Sequence, residues 1–219
     1  MGNERRMKKI LVSCPKGGAG KTNFSRNLAV AAVADGLDVS TVDLDPQQSL
    51  TKWMHKRPEN APTITHYAAE MDQVQELFAE VDHHDLMVID TPPGIEAYPD
   101  IIKFLVHECD FCLIPVQPFI DDIESVEKWM KFVIGMKRRA GYVINRANRR
   151  ARSTLAAKRR LTSSGPLCPI EVPQYESFAD AAALGIGVLE IGGAQGRDDI
   201  VAVWHFVRGQ LDLTPQGVA

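Results

Sequence analysis

The segment Lys16-Gly17-Gly18-Ala19-Gly20-Lys21-Thr22 follows directly on the apolar run Lys9-Ile10-Leu11-Val12-Ser13-Cys14. A strand that feeds a glycine-rich loop, which then opens a helix, is built to hold phosphate. Glycines let successive N–H groups curl around anionic oxygens without Cβ clashes. The helix that starts where the loop ends adds the positive pole of its dipole. Lys21 is placed to bring a positive charge to the β- and γ-phosphates, and the Thr22 hydroxyl to ligate Mg²⁺. Gly17, Gly18, Ala19 and Gly20, with Asn23 just inside the helix, complete the candidate nucleotide-binding set.

Such a loop belongs in a parallel α/β sheet, and the remaining pattern agrees. Short β-rich runs at about 8–14, 38–42, 63–67, 85–90, 110–115, 140–145 and 167–171 alternate with helical stretches at about 21–35, from after Asp121-Asp122 to about 138, 151–163 and 197–211. This alternation predicts a doubly wound, mainly parallel sheet with helices on both faces. With 219 residues, 45% of them hydrophobic, the chain can build a substantial core as one domain over 1–219. Residues 1–6 form a loose tail in this reading. No run approaches the ~18 continuous apolar residues of a membrane span. The start, Met1-Gly2-Asn3-Glu4-Arg5-Arg6, has neither the apolar core of a secretion signal nor the Ser or Thr of a myristoylation site. A cytoplasmic location is expected. Cys14, Cys109, Cys112 and Cys168 then read as small core residues of a reducing compartment. Cys109-x-x-Cys112 overlaps an apolar strand and lacks a second Cys/His pair at metal-site spacing. His83-His84 reads as a solvated turn.

Phosphate binding becomes hydrolysis only when carboxylates surround metal and water. Two strands end in acids, Val39-Ser40-Thr41-Val42 in Asp43-Leu44-Asp45-Pro46-Gln47, and Leu86-Met87-Val88-Ile89 in Asp90-Thr91-Pro92-Pro93-Gly94. Loops at the carboxyl ends of parallel strands face the ligand crevice. Asp90 at the end of an apolar strand has the form of a Walker B acid, which contacts Mg²⁺ through water.

The glycine loop lacks the first glycine of the common pattern, carrying Pro15 there, and opens with a second lysine, Lys16. In this it resembles the deviant Walker A group of ParA-type partition ATPases and MinD-type division-site ATPases. The resemblance extends from about residue 8 to about 212 through Asp43-x-Asp45-Pro46-Gln47, Asp90-Thr91-Pro92-Pro93-Gly94, Leu113-Ile114-Pro115-Val116-Gln117-Pro118 and Pro173-Gln174-Tyr175-Glu176-Ser177-Phe178-Ala179-Asp180-Ala181. It is to the small form, without an N-terminal helix-turn-helix region. The resemblance implies an ATP- and Mg²⁺-dependent homodimer in which Lys16 reaches the phosphates of the facing subunit. It also implies that Asp43 holds a metal-bound water, that Asp45 orients the attacking water, and that the Gly94 N–H senses the γ-phosphate. Asn145 falls where relatives often contact the nucleobase, and it can equally cap the end of its strand.

Between 137 and 160 lie ten basic residues and no acid, so the remaining chain carries −13 against an overall −3. Clustered Lys and Arg bind phosphate backbones by counterion release, with little regard to sequence. Arg146, Arg149, Arg150, Arg152, Lys158, Arg159 and Arg160 are the candidate DNA-binding residues, with a solvated helix face as the alternative. The resemblance implies non-specific, ATP-dependent binding to the bacterial nucleoid, partition of a plasmid, chromosome region or other large cargo, and hydrolysis stimulated by a ParB-like or other adaptor. A MinD-like membrane ATPase would want a basic amphipathic C-terminal helix, whereas Leu211–Ala219 contains Pro215 and no Lys or Arg. Membrane recruitment is therefore not expected. A cellulose-secretion ATPase remains open, as does a metabolic ligase of the dethiobiotin synthetase type, although such a ligase has no use for the basic segment. An iron-protein reductase and a purely structural DNA scaffold fit less well.

Overall fold

The computed structural model describes residues 6–213. Six strands form one parallel sheet: β1 (Lys8–Val12), β2 (Val39–Asp43), β3 (Thr65–Ala68), β4 (Leu86–Asp90), β5 (Phe111–Val116) and β6 (Arg139–Ile144). Their spatial order is β3-β2-β4-β1-β5-β6, and every pairing is parallel. Helices α1 (Lys21–Ala34), α2 (Ser49–Met54), α7 (Glu176–Ala183) and α8 (Arg197–Gln210) pack on one face. Helices α3 (Val74–Glu80), α4 (Pro99–Glu108), α5 (Ile120–Gly135) and α6 (Arg152–Ser164) cover the other. Because side chains alternate along a strand, β1 sends Ile10 and Val12 to the α1 face and Leu11 to the opposite one. No described helix is long and apolar enough to cross a membrane.

The seventh expected strand, 167–171, is not a strand. Leu167 and Val172 make only isolated bridges to Tyr142 and Asn145 beside β6. Pro166 and Pro169 have no N–H to give, so the ladder is broken between its two ends. Helix α5 stops at Gly135, short of 138. Lys137 adopts a left-handed backbone (φ 58°), with its N–H bonded to Ile134 O and that of Arg138 to Val133 O, which closes the helix end. The helices α2, α3, α4 and α7 are not among the expected stretches: each has ten residues or fewer, below the window over which an apolar period is read. Of the expected tail, residues 1–5 lie outside the described residues, while Arg6 pairs with Asp110 at 2.7 Å. Residues 214–219 of the C-terminal stretch weighed against membrane recruitment also lie outside them.

All four cysteines are free and buried. Burial pushes the thiols up, Cys14 to about 11 and Cys109 to about 12, so they are protonated core groups, as expected. His84 departs from the expected solvated turn: it is buried, with Nδ1 2.9 Å from Asp38 Oδ2 and its other nitrogen facing the Tyr67 hydroxyl. His83 stays exposed.

Trp53 of α2 ties the sheet to the C-terminal third of the chain. Its ring is 1% exposed, and its indole N–H donates to Ile186 O at 3.1 Å. Arg57, just after α2, forms a bidentate pair with Glu190. Trp53→Ala is expected to cost about 3–5 kcal/mol, read as a lower midpoint in urea unfolding; a loss below about 1 kcal/mol would show that α2 is not held by this packing.

Candidate nucleotide site

Strand register brings the acids together. Asp90 pairs with Val12 on one side and with Asp43 on the other, so the ends of β2, β4 and β1 lie abreast beneath the glycine loop. The Leu44 N–H donates to Asp90 O, and the Thr91 hydroxyl to Val12 O, which fastens the three ends.

Within the loop, Lys21 is 7% exposed and its ammonium donates inward to Lys16 O (3.1 Å) and Cys14 O (3.4 Å). It therefore lies along the inside of the loop. Lys16 has its side chain exposed, with no ion-pair partner among the described residues. Gly17 and Gly18 are exposed and Ala19 is buried. Gly20 needs to be glycine: its φ is +99°, and a Cβ there would stand 2.1 Å from Asn145 Nδ2. Asn23 is engaged by Asn27, whose amide bonds both its carbonyl and its side-chain oxygen.

Asp90 is fully buried. Its Oδ1 accepts from the Ser25 hydroxyl at 3.1 Å, while Oδ2 has no hydrogen-bond partner. Burial and the neighbouring Asp43 charge push its pKa up to about 7, against the pull of Thr22, Ser25 and Lys21. Asp43 is more fully satisfied. Its Oδ1 accepts the Asp45 N–H, and its Oδ2 accepts both the N–H and the hydroxyl of Thr51. Asp45 caps the Gln47 N–H through Oδ1 in the Asp-Pro turn. Two carboxylates and the Thr22 hydroxyl form a hard oxygen donor set that suits Mg²⁺. The partnerless, buried Asp90 oxygen is the observation that fits a cation here.

Two expected contacts are otherwise engaged. The Gly94 N–H, expected at the γ-phosphate, donates to Pro15 O at 3.0 Å, so the segment after β4 is latched to the loop. Asn145, expected at the nucleobase, donates to Ala19 O at 2.8 Å and is 4% exposed. It braces the loop from β6, and Gln117 does the same by donating to Gly18 O. Ser25, Thr51 and Gln117 were not among the expected site residues. Ser25 carried one readable signal, a hydroxyl one helical turn after Lys21 on the same helix face.

The basic segment is not uncompensated, contrary to the expectation from its lack of acids. Arg149 pairs with Asp199 and donates to Glu171 O, Lys158 pairs with Glu171 at 2.7 Å, and Arg160 forms a bidentate pair with Glu127. These carboxylates come from α5, α8 and the 167–172 segment, so a local count misses them. Arg146, Arg150, Arg152 and Arg159 are exposed and form no ion pair among the described residues.

Gly20→Ala is expected to cost about 1–3 kcal/mol through left-handed strain alone, more with the Asn145 clash, and to lower nucleotide affinity; unchanged melting and binding would refute the loop brace. For Asp90 the linkage runs as for any acid whose folded pKa is raised. The folded state keeps its proton longer, so metal-free stability falls as pH rises from about 4 to about 7. Metal-free Asp90→Asn should therefore be more stable to unfolding than the parent at pH 8, by a few kcal/mol, with the gap closing toward pH 4. A parent that is the more stable at pH 8 would show Asp90 to be relieved by other contacts.

Residues 10–188 match the family model described as the CobQ/CobB/MinD/ParA nucleotide binding domain. The maintenance of carboxysome distribution protein A of Halothiobacillus neapolitanus is 32% identical over 86% of this chain and 89% of its own length. The Cyanothece McdA(D38A)–ATP complex superposes with a TM-score of 0.70 at 17% identity, covering 97% of this chain and 99% of that one. The septum site-determining protein MinD of Pyrococcus horikoshii OT3, complexed with Mg-ADP, superposes with a TM-score of 0.74 at 17% identity, covering 92% and 96%. With its loop, its two aligned acids and this match over most of its length, the chain belongs to the CobQ/CobB/MinD/ParA nucleotide-binding family.

Proposed function

We propose that this chain is a positioning ATPase, acting as one ATPase domain, that closes as a homodimer over two ATP molecules and Mg²⁺. In that state it binds DNA without sequence preference, and it hydrolyses ATP when an adaptor protein engages the dimer. The contrast between the two lysines of the loop carries this reading. Lys21 is turned inward to the loop carbonyls, where an incoming phosphate would replace them, whereas Lys16 stands exposed at the surface. An exposed, unpaired lysine beside a phosphate site is available to a second subunit. Mg²⁺ would neutralise charge on the β- and γ-phosphates. Thr22 and Asp90 would hold it, with Asp43 fixing one of its waters. Asp45, one carboxylate oxygen of which has no protein donor among the described residues, would orient the attacking water. Asn145 can serve the base while it braces the loop, through the second proton of its amide or through its Oδ1.

Arg146, Arg150, Arg152 and Arg159 are the DNA contacts of this proposal; Arg149, Lys158 and Arg160 are committed to carboxylates. The 32% identical relative is named for maintaining carboxysome distribution, which favours a cargo of that kind over a plasmid. Nucleoid association, rather than a membrane, supplies the track.

Lys21→Ala should abolish ATP binding, and Lys16→Ala should keep binding but lose adaptor-stimulated turnover; micromolar affinity in the first, or normal turnover in the second, removes the assignment. DNA binding should require ATP rather than ADP and weaken steeply with salt. Neutralising Arg146, Arg150, Arg152 and Arg159 should lower the log–log salt slope by up to about one per lost phosphate contact. A slope that does not change moves the DNA surface elsewhere.

A further inference from the structure

Between β2, β3 and α2 lies a chain of polar groups that ends on the Asp43 carboxylate. His66 stands opposite Thr41 in the β2–β3 register, with its Nδ1 2.9 Å from the Thr41 hydroxyl. Its Nε2 is 3.0 Å from the Thr51 hydroxyl, which is itself 3.0 Å from Asp43 Oδ2. The Thr51 N–H reaches the same oxygen at 2.9 Å. Each hydroxyl has one proton, so the order of donors follows from the acceptor at the end. An ionised Asp43 takes the Thr51 proton, Thr51 then accepts from His66 Nε2–H, and the bare Nδ1 of the neutral ring accepts from Thr41, whose other acceptor, Thr65 O, is farther away at 3.4 Å. The ring is half-buried, and burial lowers its pKa against the pull of Asp43, with His55 adding to the same effect.

From this geometry we infer that His66 is a positioning residue for the metal-site acid: in its neutral, Nε2-protonated form it holds the Thr51 hydroxyl on Asp43 and so fixes the carboxylate and the start of α2. Asp43 is the last residue of β2 and the chain turns away after it, so apart from the Asp45 N–H on Oδ1 its side chain is held from outside the strand. The two Thr51 bonds do that, and His66 prevents the hydroxyl from rotating toward solvent. Supporting partners of this kind commonly change metal affinity by 10–100-fold when removed. The inference rests on the reading of Asp43 as the holder of a metal-bound water.

Two measurements test it separately. In the nucleotide-free, metal-free protein, ring ¹⁵N shifts of His66 should show a protonated Nε2 and an unprotonated Nδ1, and Thr51→Val should shift the Nε2 signal. The reverse tautomer, or no response to Thr51→Val, overturns the relay. Mg²⁺ titrations in the presence of a non-hydrolysable ATP analogue then compare Asp43→Ala, Thr51→Val, His66→Leu, His66→Gln and the His66→Leu/Thr51→Val double variant. His66→Leu and Thr51→Val should each weaken apparent Mg²⁺ affinity about tenfold, and the double variant no further, because the two act in series. His66→Gln, which can still present an N–H toward Thr51, should restore most of the loss. Additive losses, or a folded His66→Leu with parental affinity, overturn the positioning role. If instead Asp43→Ala leaves Mg²⁺ affinity unchanged, the metal reading of Asp43 has failed, and the tautomer result still stands or falls by itself.

Discussion

Everything at this site depends on two like-charged side chains being held abreast. Asp43 and Asp90 are direct partners in the β2–β4 register, at the ends of two strands that are buried throughout. Parallel strands have no turn in which to stagger them, so the sheet cannot separate the charges without losing its ladder. The fold meets the resulting repulsion unequally. Asp43 is given three hydrogen-bond donors, while Asp90 has one hydroxyl on one oxygen and a strongly raised pKa. The difference divides their tasks: one acid is firmly oriented, the other is left needing a cation.

The loop above them is supported in a complementary manner. Asn145 from β6 and Gln117 from the end of β5 both donate to its carbonyls, and the Gly94 N–H donates to Pro15 O. Three crossovers thus converge on seven residues of loop. Lys21 satisfies two more carbonyls with its own ammonium. The loop's N–H groups remain for an anion, whereas the carbonyls of Pro15, Lys16, Gly18 and Ala19, which would repel one, are already occupied. This is how a glycine-rich segment with every freedom to collapse keeps an anion-binding shape.

Charge shows how far a linear reading can mislead. Ten basic residues without a single acid between 137 and 160 look like a continuous positive surface. Folding brings Glu127, Glu171, Asp199 and Asp212 against four of them, over separations of 13 to 73 positions. The candidate arginines left free are fewer: Arg146, Arg150 and Arg152 lie between the end of β6 and the first residue of α6, and Arg159 lies further along that helix. A similar reversal applies to His84, adjacent to an exposed histidine in sequence but itself buried, with its Nδ1 on Asp38 at the surface.

The linear chain by itself determined the parallel α/β class, the phosphate loop, the two acids and the extra lysine. Each is a local device: an apolar run ending in a carboxylate, or glycines between a strand and a helix, acts through residues that are neighbours in sequence. Helices of fewer than about three turns, the interrupted seventh strand and the early end of α5 were not legible, because Pro placement and a single left-handed residue decide them against the surrounding pattern. Only the tertiary structure decided which basic residues stay free, that Asn145 braces the loop, and that His66 and Thr51 stand behind Asp43. Those facts rest on hydrogen bonds and ion pairs between segments up to 126 residues apart, whose partners no local spacing identifies.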